Sequence, residues 1–314
     1  MEVQQQESNI ITAPAPQVDQ YERHGYLFGY PIAHSYSPLL HNTVFQEVGL
    51  PWNFQLLEST DMSQFLALLK DRRLYGSAVT MPHKVAIIPH LDELADEARA
   101  VGAVNTIFLR DGKYVGTNTD TIGVRESFFQ NIAYPEEVFL GRPGLVIGGG
   151  GAARSAVYAL VAYMKCSTVY LVNRDPAEVE AVMSWCKSEG YGDGLVHVKT
   201  VAEAEALEGA GAIVACVPNF PPVTEAEKEA RRIVEVFFNK PHKGAMLEMC
   251  YHPSPWTELG GLAEAAGWNV ILGTEAMIYQ GFAQHTLWHG RTIEQLPVEE
   301  VKKVVAHALS QARL

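Results

Sequence analysis

The run Gly148-Gly149-Gly150-Gly151-Ala152-Ala153-Arg154 constrains the fold more than any other segment of this 314-residue chain. It follows the apolar stretch Leu145-Val146-Ile147 and precedes Ser155-Ala156-Val157-Tyr158-Ala159-Leu160, whose apolar residues recur at helical spacing. A strand that enters a helix through glycines leaves its backbone bare at the turn. A pyrophosphate can approach there and meet the free N–H groups of the helix N-terminus. Gly148, Gly150 and Ala153 take the three positions of G-x-G-x-x-G/A. A second apolar strand over 168–172 ends in Asn173-Arg174-Asp175, where an adenosine ribose would be read. Glycine-rich turns also serve as plain connectors, so it is the two strands together that point to a dinucleotide.

The surrounding pattern extends this unit. Short apolar runs at 145–147, 168–172, 196–198, 212–215, 245–248 and 269–272 read as strands with helices between, the mark of a parallel, doubly wound sheet. Upstream, a strand at 26–29 is followed by a helix that begins near Pro38, with Ser37 as its N-cap. A strand at 54–57, a helix over 62–70 and a strand at 76–80 come next. Pro82 opens a further helix with a face through Val85, Ile88 and Leu91, and 92–100 is helical again. Residues 104–109 and 113–116 form a hairpin around Asp111-Gly112. A helix over 122–131 leads to the glycine turn, and helices over 274–288 and 298–312 end the chain.

Composition narrows the function. A net charge of −12 argues against nucleic acid or an anionic membrane as a general partner, while leaving a small anionic substrate open. Cys166, Cys186, Cys216 and Cys250 lie far apart without a C-x-x-C pair, so no metal site is expected. They read as small buried side chains in a reducing cytosol. Residues 1–20 are polar, with Gln4-Gln5-Gln6, three acids and no arginine. They read as a disordered tail rather than a secretory or transit signal, and the expected location is cytoplasmic. The apolar stretch 144–164 contains the glycines and Arg154, which suit a buried strand-turn-helix better than a membrane span.

Three upstream segments carry groups suited to a small polar ligand. In His34-Ser35-Tyr36-Ser37-Pro38 two hydroxyls stand two apart in a turn; simple capping by Ser37 is the plainer reading. In Val79-Thr80-Met81-Pro82-His83-Lys84 a lysine falls in the expected first turn of a helix. The macrodipole disfavours a cation there, so local stability gives no reason for it. Gly102-Ala103-Val104-Asn105-Thr106 and Gly116-Thr117-Asn118-Thr119-Asp120 are polar clusters at strand ends, which turn chemistry alone could explain. His34, His41 and His83 are rival proton carriers, though each also reads as a packed ring.

Together these segments resemble the shikimate/quinate dehydrogenase family from about residue 26 to 290. The match runs through G-Y-P-I-A-H-S-Y-S-P-L-L-H-N, V-T-M-P-H-K, G-A-V-N-T, G-T-N-T-D, the glycine loop, N-R-D and the late G-T-E-A-M-I-Y-Q. The wording is most similar to the fungal quinate dehydrogenase-like branch. The resemblance implies an α/β chain of two domains: a substrate domain over 21–121 and a Rossmann-type dinucleotide domain over 122–276. Helices over 277–314 would return to the first domain. It implies that Lys84 and Asp120 form the catalytic pair and that Ser35, Ser37 and Tyr251 serve the substrate carboxylate. Thr80, Asn105 and Gln280, with Asp120, would bind ring hydroxyls. Gly148, Gly150, Gly151, Ala152, Asn173, Arg174, Asp175 and Met277 would hold the cofactor. The implied reaction is reversible NAD-dependent oxidation of quinate to 3-dehydroquinate, with activity on shikimate, by a monomer or homodimer.

Two departures stand out. Ala78 replaces an asparagine, and Ala215-Cys216-Val217-Pro218 replaces N-A-T-P. Arg174 could meet a 2′-phosphate, but Asp175 and Glu178 follow it without a second base, which favours NAD over NADP. The alternatives are an NADP-dependent shikimate dehydrogenase, a dehydrogenase for another cyclic hydroxy or amino acid, and a non-catalytic ligand sensor. The sensor reading leaves the retained Lys84 and Asp120 without a purpose.

Overall fold

Two six-stranded sheets organise the residues described by the computed structural model, 10–251 and 254–311, and each lies within one of two compact units. Among the described residues, the first unit holds 10–98, 102–117 and 284–308. The second holds 99–101, 118–251, 254–283 and 309–311.

The first unit begins with β1 (Arg23–Gly29), α1 (Ser37–Glu47), β2 (Trp52–Glu58), α2 (Met62–Leu69) and β3 (Leu74–Val79). These are followed by β4 (Glu93–Leu94), α3 (Asp96–Val101), β5 (Thr106–Arg110) and β6 (Lys113–Thr117). The sheet order is β2-β1-β3-β5-β6-β4. The strands β2, β1 and β3 run parallel, β5 is antiparallel to both β3 and β6, and β4 is parallel to β6. Asp111 and Gly112 both have positive φ, 52° and 75°, as a two-residue hairpin turn requires. Covered on both faces, the second half of β1 reads as an apolar run, Tyr26-Leu27-Phe28: Phe28 meets Phe65 in one cluster, and Leu27 lies with Phe45 and Phe54 in the other.

Four local expectations give way here. No α-helix starts at Pro82: residues 81–87 form successive turns, followed by a 3₁₀ turn at Ile88–His90. The Lys84 carbonyl, which a helix would offer to the Ile88 N–H, instead accepts from Val104, while Ile88 donates to Val85. The segment 92–100 opens as strand rather than helix, because Asp92 and Ala95 donate to the Tyr114 and Gly116 carbonyls beside β6. Ser37 is the first residue of α1 rather than its cap; Tyr36 holds that position, and the Ser35 hydroxyl accepts the Ser37 N–H. The tail is ordered from Ile11 onward. Ile11 bonds to Thr60 through both backbone groups, and Ala13 exchanges two bonds with the Gln64 side chain. Ala13 and Val18 also pack on the core. The rest of the expected tail, residues 1–9, lies outside the described residues.

The second unit runs through α4 (Asp120–Asn131), α5 (Pro135–Val138), β7 (Gly144–Ile147), α6 (Gly151–Tyr158) and β8 (Val169–Val172). It continues with α7 (Pro176–Ser188), β9 (Leu195–His197), α8 (Val201–Ala206), β10 (Ala212–Ala215) and α9 (Glu225–Phe238). Then come β11 (Ala245–Glu248), α10 (Glu258–Ala265), β12 (Asn269–Leu272) and α11 (Gly273–His289), whose residues from 284 belong to the first unit. The last helix is α12 (Val298–Gln311). All six strands are parallel in the order β12-β11-β10-β7-β8-β9. Val146, Leu171 and Val214 face one core; Leu145, Tyr170 and Ile213 face the other. Burial on both faces is why these strands read as continuous apolar runs. The chain leaves β7 toward β9 and returns to β10 on the other side, which opens a crevice at the carboxyl ends of β7 and β10.

Candidate functional site

A cavity of about 320 Å³ occupies that crevice in the second unit. Its walls include Gly148, Gly149 and Gly150 after β7, Asn173 and Arg174 after β8, and the 216–222 segment after β10. Gly148 has φ of 121°, a conformation that side chains disfavour, and a Cβ there would lie 3.1 Å from the Cys216 carbonyl oxygen. At Gly149 a Cβ would stand 2.6 Å from the Glu178 Cβ. Gly150 and Gly151 face open space, with nothing within 4 Å of an added Cβ. The bare backbone therefore has room for a phosphate beside the first-turn N–H groups of α6, and the residues present fit a dinucleotide. Gly149→Ala is expected to destabilise the protein by about 1–3 kcal/mol through overpacking. By displacing the loop it should also raise the KM for the dinucleotide about tenfold. Denaturant unfolding with dinucleotide titration checks both.

Of the cofactor residues expected from sequence, Gly148, Gly150, Asn173 and Arg174 line the cavity. Gly151 and Ala152 form the start of α6, and Met277 is buried on α11 outside the cavity lining. Asp175 is also outside it. Its carboxylate caps α7 by accepting the Ala177 N–H at 2.9 Å. The acid facing the glycine loop is Glu178, which accepts from the Asn173 side-chain amide at 2.6 Å. Arg174 is engaged by Glu227, a residue that the sequence reading missed. Thr224-x-x-Glu227 is a legible capping box at the start of α9, but its pairing with Arg174 spans 53 positions.

Glu248, another missed residue, is 1% exposed at the end of β11. Burial pushes its carboxyl up from the ordinary range, opposed by hydrogen bonds from the Thr257 hydroxyl at 2.7 Å and the Cys250 N–H at 3.1 Å. One carboxyl thus joins both ends of the segment that carries Tyr251. The four cysteines are free thiols, Cys186 buried and the other three half-buried.

In the first unit the expected substrate residues gather at one end of the sheet. The Ser35 and Ser37 hydroxyls lie 3.1 Å apart after β1. Glu58, at the end of β2, fixes the preceding turn by accepting the Ile32 and Ala33 N–H groups. Thr80 follows β3 and donates its N–H to Phe28. Buried Asn105 precedes β5; its carboxamide oxygen accepts from Thr106, whose hydroxyl accepts in turn from Gln284. Lys84 is half-buried in the turns after Thr80, so the macrodipole argument for it lapses and its placement rests on the turn itself. Ala78 is core, paired with Thr106 across the sheet.

The histidines divide differently. His83 stacks on Phe28 with ring centroids 4.0 Å apart and bonds the Ser59 carbonyl oxygen, while His34 is exposed. His41 is fully buried and bonds His285 at 3.0 Å. Of the remaining expected residues, Asp120 opens α4 in the second unit, its N–H donating to the Asn118 side chain. Gln280 accepts from the Thr119 hydroxyl and donates to the Met277 carbonyl. Among the described residues no group of three or more His, Cys, Asp or Glu could hold a metal ion, and no helix is long and apolar enough to cross a membrane.

Comparison with known proteins identifies the shikimate dehydrogenase substrate binding domain over residues 27–107. The chain is 44% identical over 309 residues to a quinate dehydrogenase of Emericella nidulans, covering 91% of this chain and 94% of that protein. Other curated relatives are pentafunctional AROM polypeptides, of whose length the chain spans 17%. Among solved structures, a shikimate 5-dehydrogenase from Thermus thermophilus in complex with NADP(H) and shikimate matches with a TM-score of 0.71 and 27% identity. That match covers 91% of this chain and 99% of the other. A quinate dehydrogenase from Corynebacterium glutamicum in complex with NAD shares the fold, with a TM-score of 0.75 at 20% identity and the same coverage.

Proposed function

This chain belongs to the shikimate/quinate dehydrogenase family of oxidoreductases acting on CH–OH groups, and from that premise we propose that it oxidises quinate to 3-dehydroquinate reversibly with NAD. The observation that carries the choice of quinate is the 44% identity to a quinate dehydrogenase across nearly the full length of both chains. Oxidising a ring alcohol to a ketone releases a hydride and a proton. The bound dinucleotide supplies the hydride acceptor, and the rest falls to side chains. Ser35 and Ser37 offer converging hydroxyls to the substrate carboxylate, with Tyr251 as a further donor. Thr80, Asn105 and Gln280 bind ring hydroxyls. Lys84, assigned with Asp120 from the V-T-M-P-H-K and G-T-N-T-D motifs, takes the hydroxyl proton in oxidation and returns it in reduction.

The choice of NAD is supported by the charge of the cavity wall. Glu178 and Glu227 line it, Arg174 is engaged by Glu227, and Arg231 is paired with Glu258 at 2.8 Å. A ribose with free hydroxyls finds acceptors there. The second reading is NADP-dependent oxidation of shikimate: the family description that matches residues 27–107 names shikimate, and the similar Thermus thermophilus enzyme is in complex with NADP(H) and shikimate. Absorbance at 340 nm with quinate or shikimate, each with NAD or NADP, tests both. The quinate and NAD pairing is expected to give the highest kcat/KM. Shikimate with NADP as the best pairing would establish the second reading. Absence of turnover in all four, from protein that still binds a dinucleotide, would point to another substrate or a sensor.

A further inference from the structure

The pairing of Arg174 with Glu227 has a consequence for cofactor choice that the sequence around the glycine loop does not contain. Arg174 follows β8 and lines the cavity. A guanidinium in this position is a ready partner for a 2′-phosphate. Its Nη1 instead bonds the Oε1 of Glu227. The other oxygen, Oε2, accepts the N–H groups of Val223 and Thr224, both at 2.9 Å. The Glu227 N–H donates in return to the Thr224 hydroxyl, closing the capping box of α9. The carboxylate is therefore anchored by the helix start and does not depend on Arg174 for its position. Those backbone bonds, with Arg174 after them, hold the carboxyl down at about 2, so it stays ionised at every working pH.

We propose that Glu227 is a specificity-determining residue that occupies Arg174 and excludes a 2′-phosphorylated dinucleotide from the cavity. This rests on the dehydrogenase reading above and adds to it the residue that sets cofactor choice. A phosphate dianion placed on Arg174 would share one guanidinium with a fixed carboxylate, and the like charges repel. A plain ribose brings hydroxyls, which a carboxylate accepts. The ion pair has little to do with stability, since the Arg174 side chain is 63% exposed. Its effect is on which dinucleotide enters.

The variant Glu227→Gln isolates the charge, because glutamine also completes a capping box. The expected result is a rise of about tenfold or more in the ratio of kcat/KM with NADP to kcat/KM with NAD, the NADP value itself rising. Arg174→Ala in that background is expected to erase the gain. An unchanged NADP-to-NAD ratio in a Glu227→Gln protein that melts as the wild type does would overturn the proposal. A wild-type preference for NADP would also overturn it. A measurement on the unaltered protein stands independently of the variant: adenosine 2′,5′-bisphosphate should compete with NAD about tenfold more weakly than 5′-AMP. Equal competition sinks the role of Glu227 while leaving the dehydrogenase reading intact. Binding of neither nucleotide sinks both.

Discussion

Lys84→Ala is expected to lower kcat for quinate oxidation by about two to four orders of magnitude, the range over which a positioned proton carrier contributes. The KM for the dinucleotide should change little, since the residues lining the cavity proposed for it all belong to the second unit, whereas Lys84 stands in the first. Loss of the fold is not the cause to anticipate. One bond that Lys84 gives to the turn is made by its backbone: the carbonyl accepts the Val104 N–H at 2.7 Å, and alanine keeps that bond. Lys84→Arg separates two roles of the ammonium. Arginine keeps a positive charge on the reacting oxygen but does not release a proton at working pH. It should therefore recover only part of the loss and flatten the pH dependence of kcat. Asp120→Asn, at the first residue of α4, is expected to give a smaller loss with the same sign. Full turnover by Lys84→Ala at saturating quinate would remove the residue from the reaction.

The parts of this molecule that were legible in sequence are those whose partners are local or repeated. The four central strands of the second sheet, β7, β8, β10 and β11, announce themselves because burial on both faces leaves apolar runs such as Leu145-Val146-Ile147. The glycine turn and the Asp111-Gly112 hairpin follow from backbone conformations that few residues adopt. The segment 82–100 misleads because its apolar spacing suits a helix, while its backbone groups are claimed by Val104, Tyr114 and Gly116 from farther along the chain. The Ala- and Pro-rich stretch at 13–16, which has no strand or helix pattern, conceals the bonds of Ile11 and Ala13 to Thr60 and Gln64 in the same way. At the candidate cofactor site the sequence names the loop but not the acid that meets Arg174. Asp175 adjoins Arg174 in the chain yet caps α7, and the carboxylate that meets the guanidinium arrives from α9. Neighbours in sequence compete with neighbours in space, and a helix start claims the nearest carboxylate first.

Acid is expected to unfold the protein well before its carboxylates are fully protonated, because three histidines are held neutral in the first unit. His41 on α1 bonds His285 at 3.0 Å, and His285 bonds His289 one turn along α11, also at 3.0 Å. Phe45, Phe54 and Trp288 pack against this chain of rings, Phe45 being T-shaped to His285 at 5.0 Å. Burial lowers His41 to about 3; burial and then Arg291 lower His289 to about 4. Burial, with the two neighbouring rings, puts His285 well below the ordinary value. In the unfolded chain each titrates near 6.5. Because the native values are depressed, the stabilisation is complete above about pH 6.5 and is lost as pH falls toward the native values, where the unfolded state binds the additional protons. At pH 5 each ring costs on the order of 2 kcal/mol, less for the partly exposed His289. Two or three such terms are comparable with the whole stability of an ordinary domain, about 5–15 kcal/mol. Denaturant unfolding between pH 7.5 and 5 should thus show the free energy falling with a slope of about two to three protons from these rings. The double variant His41→Phe/His289→Phe is less stable at neutral pH, since it leaves His285 without its partners. Its slope below pH 6.5 is nevertheless expected to be shallower by about two protons. Parallel slopes for the two proteins would assign the acid sensitivity to other groups.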